Sequence, residues 1–89
     1  MAEATLRIVN ELGMHARAAT KFVQLANRYQ ADVEVEKDEQ VVNGKSIMGV
    51  LMLVASKGTS IKVRAYGDDA DICISAISDL VRSRFGEER

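Results

Sequence analysis

The chain has no proline and no tryptophan. Without proline, no stretch can act as a rigid linker or a proline-rich ligand. Aromatic residues are scarce as well. Phe22, Tyr29, Tyr66 and Phe85 are all there are, so a core must be built mainly from aliphatic side chains. The lone cysteine, Cys73, excludes an internal disulfide and suits a reducing compartment. The lone histidine, His15, argues against a metal site, because no second imidazole is present to share the ion. Charge of one sign is lacking too. The formal net charge is −1 with both signs interspersed, which gives no general attraction to nucleic acid or anionic lipid. No basic segment followed by an apolar run opens the chain, so no secretory signal is visible. The apolar stretch from Ile47 to Ala55 falls far short of the ~20 residues a spanning helix needs. A cytoplasmic protein is expected, with neither membrane nor nucleic acid as partner.

What is present suits a compact fold. The 89 residues, 47% of them hydrophobic, are expected to form one domain over 1–89. Thr5-Leu6-Arg7-Ile8-Val9 alternates like a half-buried strand, and Asn10 to Met14 follows as a loop in which Gly13 can take a backbone angle closed to other residues. From Ala16 the period becomes helical: Ala19, Phe22, Val23, Ala26 and Tyr29 share one face. Ala31 to Glu36 alternates again with Val33 and Val35 inward. Lys37-Asp38-Glu39 reads as a hairpin turn and Gln40 to Asn43 as the return strand. A second helix begins near Ser46, and Ser60 to Tyr66 is the clearest strand. Gly67-Asp68-Asp69 stops that strand and supplies an N-cap for a third helix. In this helix Cys73, Ala76, Ile77, Leu80 and Val81 form the apolar stripe, Arg82 and Arg84 lie in the last turn, and Gly86 terminates it. The order β-α-β-β-α-β-α, with one apolar face per strand, predicts a two-layer α+β domain. Its four-stranded, mostly antiparallel sheet is covered by helices on one side.

Two helix starts carry chemistry. His15 stands where loop becomes helix, beside backbone N–H groups that have no partner within the helix. Those donors and the helix dipole favour an anion, and Arg17 can offer a planar charged fork to phosphate oxygens. A neutral imidazole there is a competent nucleophile. A histidine at such a position can equally be an ordinary surface residue or cap. Ser46 is first of all an N-cap. A phosphate on it would be tolerated by the helix and felt by whatever docks nearby. The helix it opens is apolar nearly all round. Helical geometry separates Val50, Leu53 and Val54, assigned to the core, from Ile47, Met48, Leu51 and Met52, which are left to form a docking surface unless the helix is sunk between neighbours. Cys73 fits the core of the third helix.

The chain resembles the HPr family, the histidine-containing phosphocarriers of the bacterial phosphotransferase system. The likeness covers essentially the whole chain. It rests on Leu12-Gly13-Met14-His15-Ala16-Arg17-Ala18-Ala19, on Asn43-Gly44-Lys45-Ser46-Ile47-Met48-Gly49-Val50-Leu51-Met52-Leu53, on their spacing, and on Ala55-Ser56-Lys57-Gly58. The resemblance implies an open-faced sandwich of four strands and three helices. It implies that His15 takes a phosphoryl group from Enzyme I and passes it to an enzyme IIA-type acceptor, with Arg17 contacting that group. It further implies that Ser46 matches a site modified in some bacteria by a dedicated kinase. Ile47, Met48, Leu51 and Met52 match the docking surface, with Thr20 and Gln24 contributing from the first helix. Such a protein is a phosphohistidine relay rather than a stand-alone enzyme, and needs no cofactor or metal. A monomer is the expected state. The branch served, sugar uptake or nitrogen-related regulation, stays open. Where the family usually has proline after the active arginine this chain has Ala18, a strong helix former that should preserve the helix. The rival from another class is a purely regulatory binding module working through phospho-Ser46 and the second helix.

Overall fold

The computed structural model describes all residues from Met1 to Arg89. Four strands and three helices alternate along the chain: β1 (Ala2–Arg7), α1 (Ala16–Ala26), β2 (Asp32–Lys37), β3 (Gln40–Asn43), α2 (Ile47–Met52), β4 (Ser60–Tyr66) and α3 (Ala70–Arg82). The sheet runs β1-β4-β2-β3, and all three pairings are antiparallel. β4 is therefore central, which suits the strand whose Ile61, Val63 and Ala65 are all buried. The expected order and sandwich architecture are both present.

Strand alternation sets the two faces. Leu6, Val33, Val35, Ile61 and Val63 point into one core with Phe22, Ile77 and Val81 of the helices. α3 packs on β1 and β4, while α1 packs against α2 and α3. On the opposite, wet face the mixed-sign side chains neutralise one another. Arg64 pairs with Glu36 and lies 3.7 Å from both Glu3 and Glu34. No helix is long and apolar enough to cross a membrane.

Several details differ from the expected ones. β1 starts three residues early, at Ala2, and pairs with β4 from Ala2↔Ala65 to Arg7↔Ser60. Ala2 and Ala4 pack on the core beside Leu6, but alanine gives a weak hydrophobic signal in sequence. β2 is shifted by one residue. α2 is short, and Val54 is not a core residue: it is 73% exposed with φ +49°. Helical geometry ends at Leu53, so Val54 no longer falls on the face that buries Val50 and Leu53.

α3 begins after Asp69, yet that carboxylate does not cap its own helix. It accepts instead from the backbone N–H groups of Gln30 and Ala31, each at 2.9 Å. Two otherwise unpaired loop donors compete better for it than one helix-end donor. The helix stops at Arg82, so Arg84 lies past the last turn rather than in it. Arg84, Phe85 and Gly86 then form a tight turn, all with positive φ. Left-handed geometry at the first two costs about 1–2 kcal/mol each. Burying Phe85 completely returns about 1.5–3 kcal/mol, which offsets much of that cost.

Candidate functional site

The His15 site is built by a loop that cannot wander. Asn10 is fully buried, and its carbonyl accepts the Gly13 N–H at 3.2 Å. The Met14 N–H then donates to the Ala55 carbonyl at 2.8 Å, tying the loop to the segment after α2. Gly13 has φ +67°, and a Cβ there would stand 2.6 Å from the Ala55 carbonyl oxygen. Only glycine fits so close an approach in that conformation.

The loop delivers His15 to the N-cap of α1 in an extended conformation (φ −73°, ψ 179°). Its carbonyl accepts the Ala19 N–H at 2.8 Å, the first bond of the helical ladder. Nδ1 accepts the Arg17 backbone N–H at 3.3 Å, a long cap bond. Ala18, buried in the first turn, leaves the helix intact as its propensity leads one to expect.

The other ring nitrogen has a partner that the sequence reading missed. Nε2 lies 2.5 Å from Oε2 of Glu87. Oε1 of the same carboxylate accepts from Asn10 Nδ2 at 2.9 Å. Asn10 also donates to the Gly13 carbonyl at 2.8 Å, so one buried amide braces both the loop and the tail. The Asn10 hydrogen bond, assisted by the bond and charge of His15 and by Lys21, holds the Glu87 carboxyl below its usual range despite partial burial. Lys21 Nζ donates to the Phe85 carbonyl at 2.6 Å and pins the tail turn.

Arg17 is exposed and forms no ion pair. Its side chain lines a shallow pocket with Glu11, Lys21, Glu87 and Arg89, of which Glu87 is the partner of His15. The guanidinium has no ion-pair partner and is free to meet an anion.

A second depression joins His15 to apolar side chains of two segments, Leu12 and Met14 before it and Leu51 and Val54 across from it. Met48 and Met52 continue this surface at 73% and 62% exposure; Ile47 is also exposed, and Leu51 is half-buried. Ile47, Met48 and Met52 thus lie on the exposed side, Leu51 is shared between that side and the core it packs against, and Leu12 and Val54 extend the exposed apolar surface. From α1, Gln24 is exposed and Thr20 half-buried, its hydroxyl donating back to the Ala16 carbonyl at 2.8 Å. Ser46 caps α2, its Oγ accepting the Gly49 N–H at 3.1 Å. Cys73 is buried among α3's core residues, and burial pushes its thiol pKa up, away from reactivity.

Nothing near His15 announces the tail contact, because Glu87 lies 72 residues on. The available signal was Phe85, an aromatic residue just before Gly86 that had to be buried somewhere.

The comparisons with known proteins agree on one family. The family model described as the PTS HPr component phosphorylation site matches residues 2–83. Phosphocarrier protein HPr of Neisseria meningitidis serogroup A is 45% identical over 87 residues, 98% of each chain. A crystal structure of HPr from Thermoanaerobacter tengcongensis is 47% identical and superposes with a TM-score of 0.97 over 100% of both chains. A crystal structure of an HPr dimer from the same organism matches with a TM-score of 0.79, covering 98% of this chain and 100% of that one.

Proposed function

The chain belongs to the HPr family of phosphotransferase-system phosphocarriers, and from that premise we propose that His15 carries the phosphoryl group, taking it from Enzyme I and handing it to an enzyme IIA-type acceptor. The observation that carries this reading is the position of Nδ1. It sits at the N-terminus of α1 against the Arg17 N–H, on a residue whose guanidinium has no ion-pair partner. The other nitrogen faces an anionic carboxylate, which would repel an incoming phosphoryl group. Attack by the Nδ1 lone pair forms the N–P bond as the donor's bond to phosphorus breaks, and the leaving electron pair stays with the donor atom. The phosphoryl oxygens then take over the role of Nδ1 as acceptors at the helix end, with the Arg17 fork beside them. Catalysis of this kind is positioning and electrostatics.

In this reading residues 1–89 act as a single cytoplasmic carrier domain that works as a monomer. The protein is a relay that is loaded and emptied, not a stand-alone enzyme. Its docking surface is the apolar patch of Ile47, Met48, Leu51 and Met52, joined by Leu12 and Val54 and flanked by Thr20 and Gln24. A patch of this modest size with a polar rim suits partners that must leave quickly. Ser46 is the regulatory position. Its oxygen stands at the edge of the same patch, so a phosphate there would place charge where partners dock while remaining compatible with the helix dipole.

The test is to incubate the purified chain with phosphoenolpyruvate and Enzyme I and follow intact mass. One acid-labile phosphate, absent in His15→Ala, is the expected result. No phosphate on the wild type with a range of donor enzymes, the host's own included, would leave Ser46 and the α2 surface as the working parts. Offering the loaded protein to sugar-branch and nitrogen-branch acceptors then identifies the branch.

A further inference from the structure

We propose that Glu87 is a positioning residue for His15, holding the proton on Nε2 so that the lone pair stays on Nδ1 and facing the positive charge that the ring acquires on loading. The proposal rests on reading His15 as the carrier and adds a residue to that site.

Both ends of the ring select the same tautomer. A backbone N–H can only donate, so the Arg17 N–H requires Nδ1 to be the acceptor. An ionised carboxylate can only accept, so Glu87 Oε2 at 2.5 Å requires Nε2 to carry the hydrogen. The carboxylate is itself fixed. Its second oxygen is bonded to the fully buried Asn10, and its backbone N–H donates to the Arg84 carbonyl at 2.9 Å. The turn before it is anchored by the buried Phe85 and by Lys21 on the Phe85 carbonyl. A tail held at so many points is a built part of the site.

The charge balance gives the carboxylate its function. When Nδ1 donates its lone pair to phosphorus, the Nε2–H stays and the imidazole becomes an imidazolium. Glu87 then faces a full positive charge across a short hydrogen bond. When the phosphoryl group moves on, the N–P electron pair returns to Nδ1 and the ring is neutral again. A carboxylate behind an imidazole acts this way wherever one nitrogen must react while the other is held. Lys21 is the cation whose charge acts on Glu87, and Glu11, Arg17, Glu88 and Arg89 complete the charged rim of the pocket.

Nitrogen-15 spectra of the His15 ring in the unphosphorylated full chain read the tautomer directly, and the initial rate of loading from phosphoenolpyruvate and Enzyme I reads its use. The wild-type ring is expected in the Nε2–H form at neutral pH. Glu87→Ala should raise the Nδ1–H population and slow loading roughly tenfold, the size of one charge-assisted hydrogen bond. Glu87→Gln, whose amide oxygen can still accept the Nε2–H, should keep the tautomer but lose the charge facing the loaded ring and so also slow loading. Glu87→Asp keeps the carboxylate and should recover part of the rate. Thermal melts of each variant separate loss of fold from loss of orientation. An unchanged tautomer in Glu87→Ala, or a changed tautomer with an unchanged rate, overturns the proposal. Failure to load the wild type overturns the carrier reading beneath it, a result set apart by requiring no variant at all.

Discussion

The first turns of α1 and α2 look alike in sequence, each opened by one polar side chain, yet they are built for opposite ends. Ser46 makes an ordinary cap at 3.1 Å, and its oxygen has no other task in the fold. His15 makes a long cap at 3.3 Å and spends its second nitrogen on a carboxylate far along the chain. The serine is satisfied by its own helix. The histidine is oriented from outside its helix, and its acceptor nitrogen is held only loosely. A tightly engaged atom makes a good cap and a poor nucleophile, and the looser cap is the one at the position proposed to react.

The largest effect that could break this contrast is His15→Ala. It should abolish phosphate uptake entirely while costing only about 1 kcal/mol of stability, as loss of a modest cap would; intact mass and a urea titration check both halves. Next comes the surface beside α2. Met48→Asp puts a charge on a side chain 73% exposed. It should leave the melting temperature nearly unchanged yet slow transfer to an acceptor about tenfold, seen by following acceptor phosphorylation over time. Ser46→Ala comes third. It should lower stability by about 1 kcal/mol and leave His15 able to accept phosphate, which denaturant unfolding and a loading assay measure together.

The smallest effect is in acid. Glu87 and Asp69 both have carboxyls held below their ordinary values of 4.5 and 3.8, Glu87 chiefly by Asn10 and Asp69 chiefly by the Gln30 N–H. Each therefore stabilises the fold fully above its ordinary value. That contribution is lost as pH falls through the lowered one. Glu87→Gln should flatten the fall in melting temperature below about pH 4.5 and Asp69→Asn below about pH 3.8, and an unflattened curve would mean that the pairing does not bear on stability.

Much of this was legible in the sequence because it is local. Alternation placed Val33, Val35, Ile61 and Val63 in the core, and helical spacing placed Phe22, Val23, Ile77 and Val81. His15 and Ser46 were recognisable as helix starts from the change of period that follows them. What stayed hidden depends on distant partners or on where a helix gives out. Val54 continues a pattern whose helix has already ended. Asp69 has the chemistry of a cap, but two loop amides claim it first. Asn10 looked like an ordinary loop residue, although it is the buried brace between the His15 loop and Glu87.

The separation of His15 from Glu87 also has a consequence in time. The two are 72 residues apart, and at about 5–20 residues per second a ribosome adds the second roughly 4–14 s after the first. Throughout that interval a growing chain has its imidazole but not the carboxylate that orients it. The turn that brings Glu87 into place depends on Phe85 entering a core to which α1 and α3 contribute. Completion of the His15–Glu87 pair thus waits on completion of the fold, and a half-made chain lacks it.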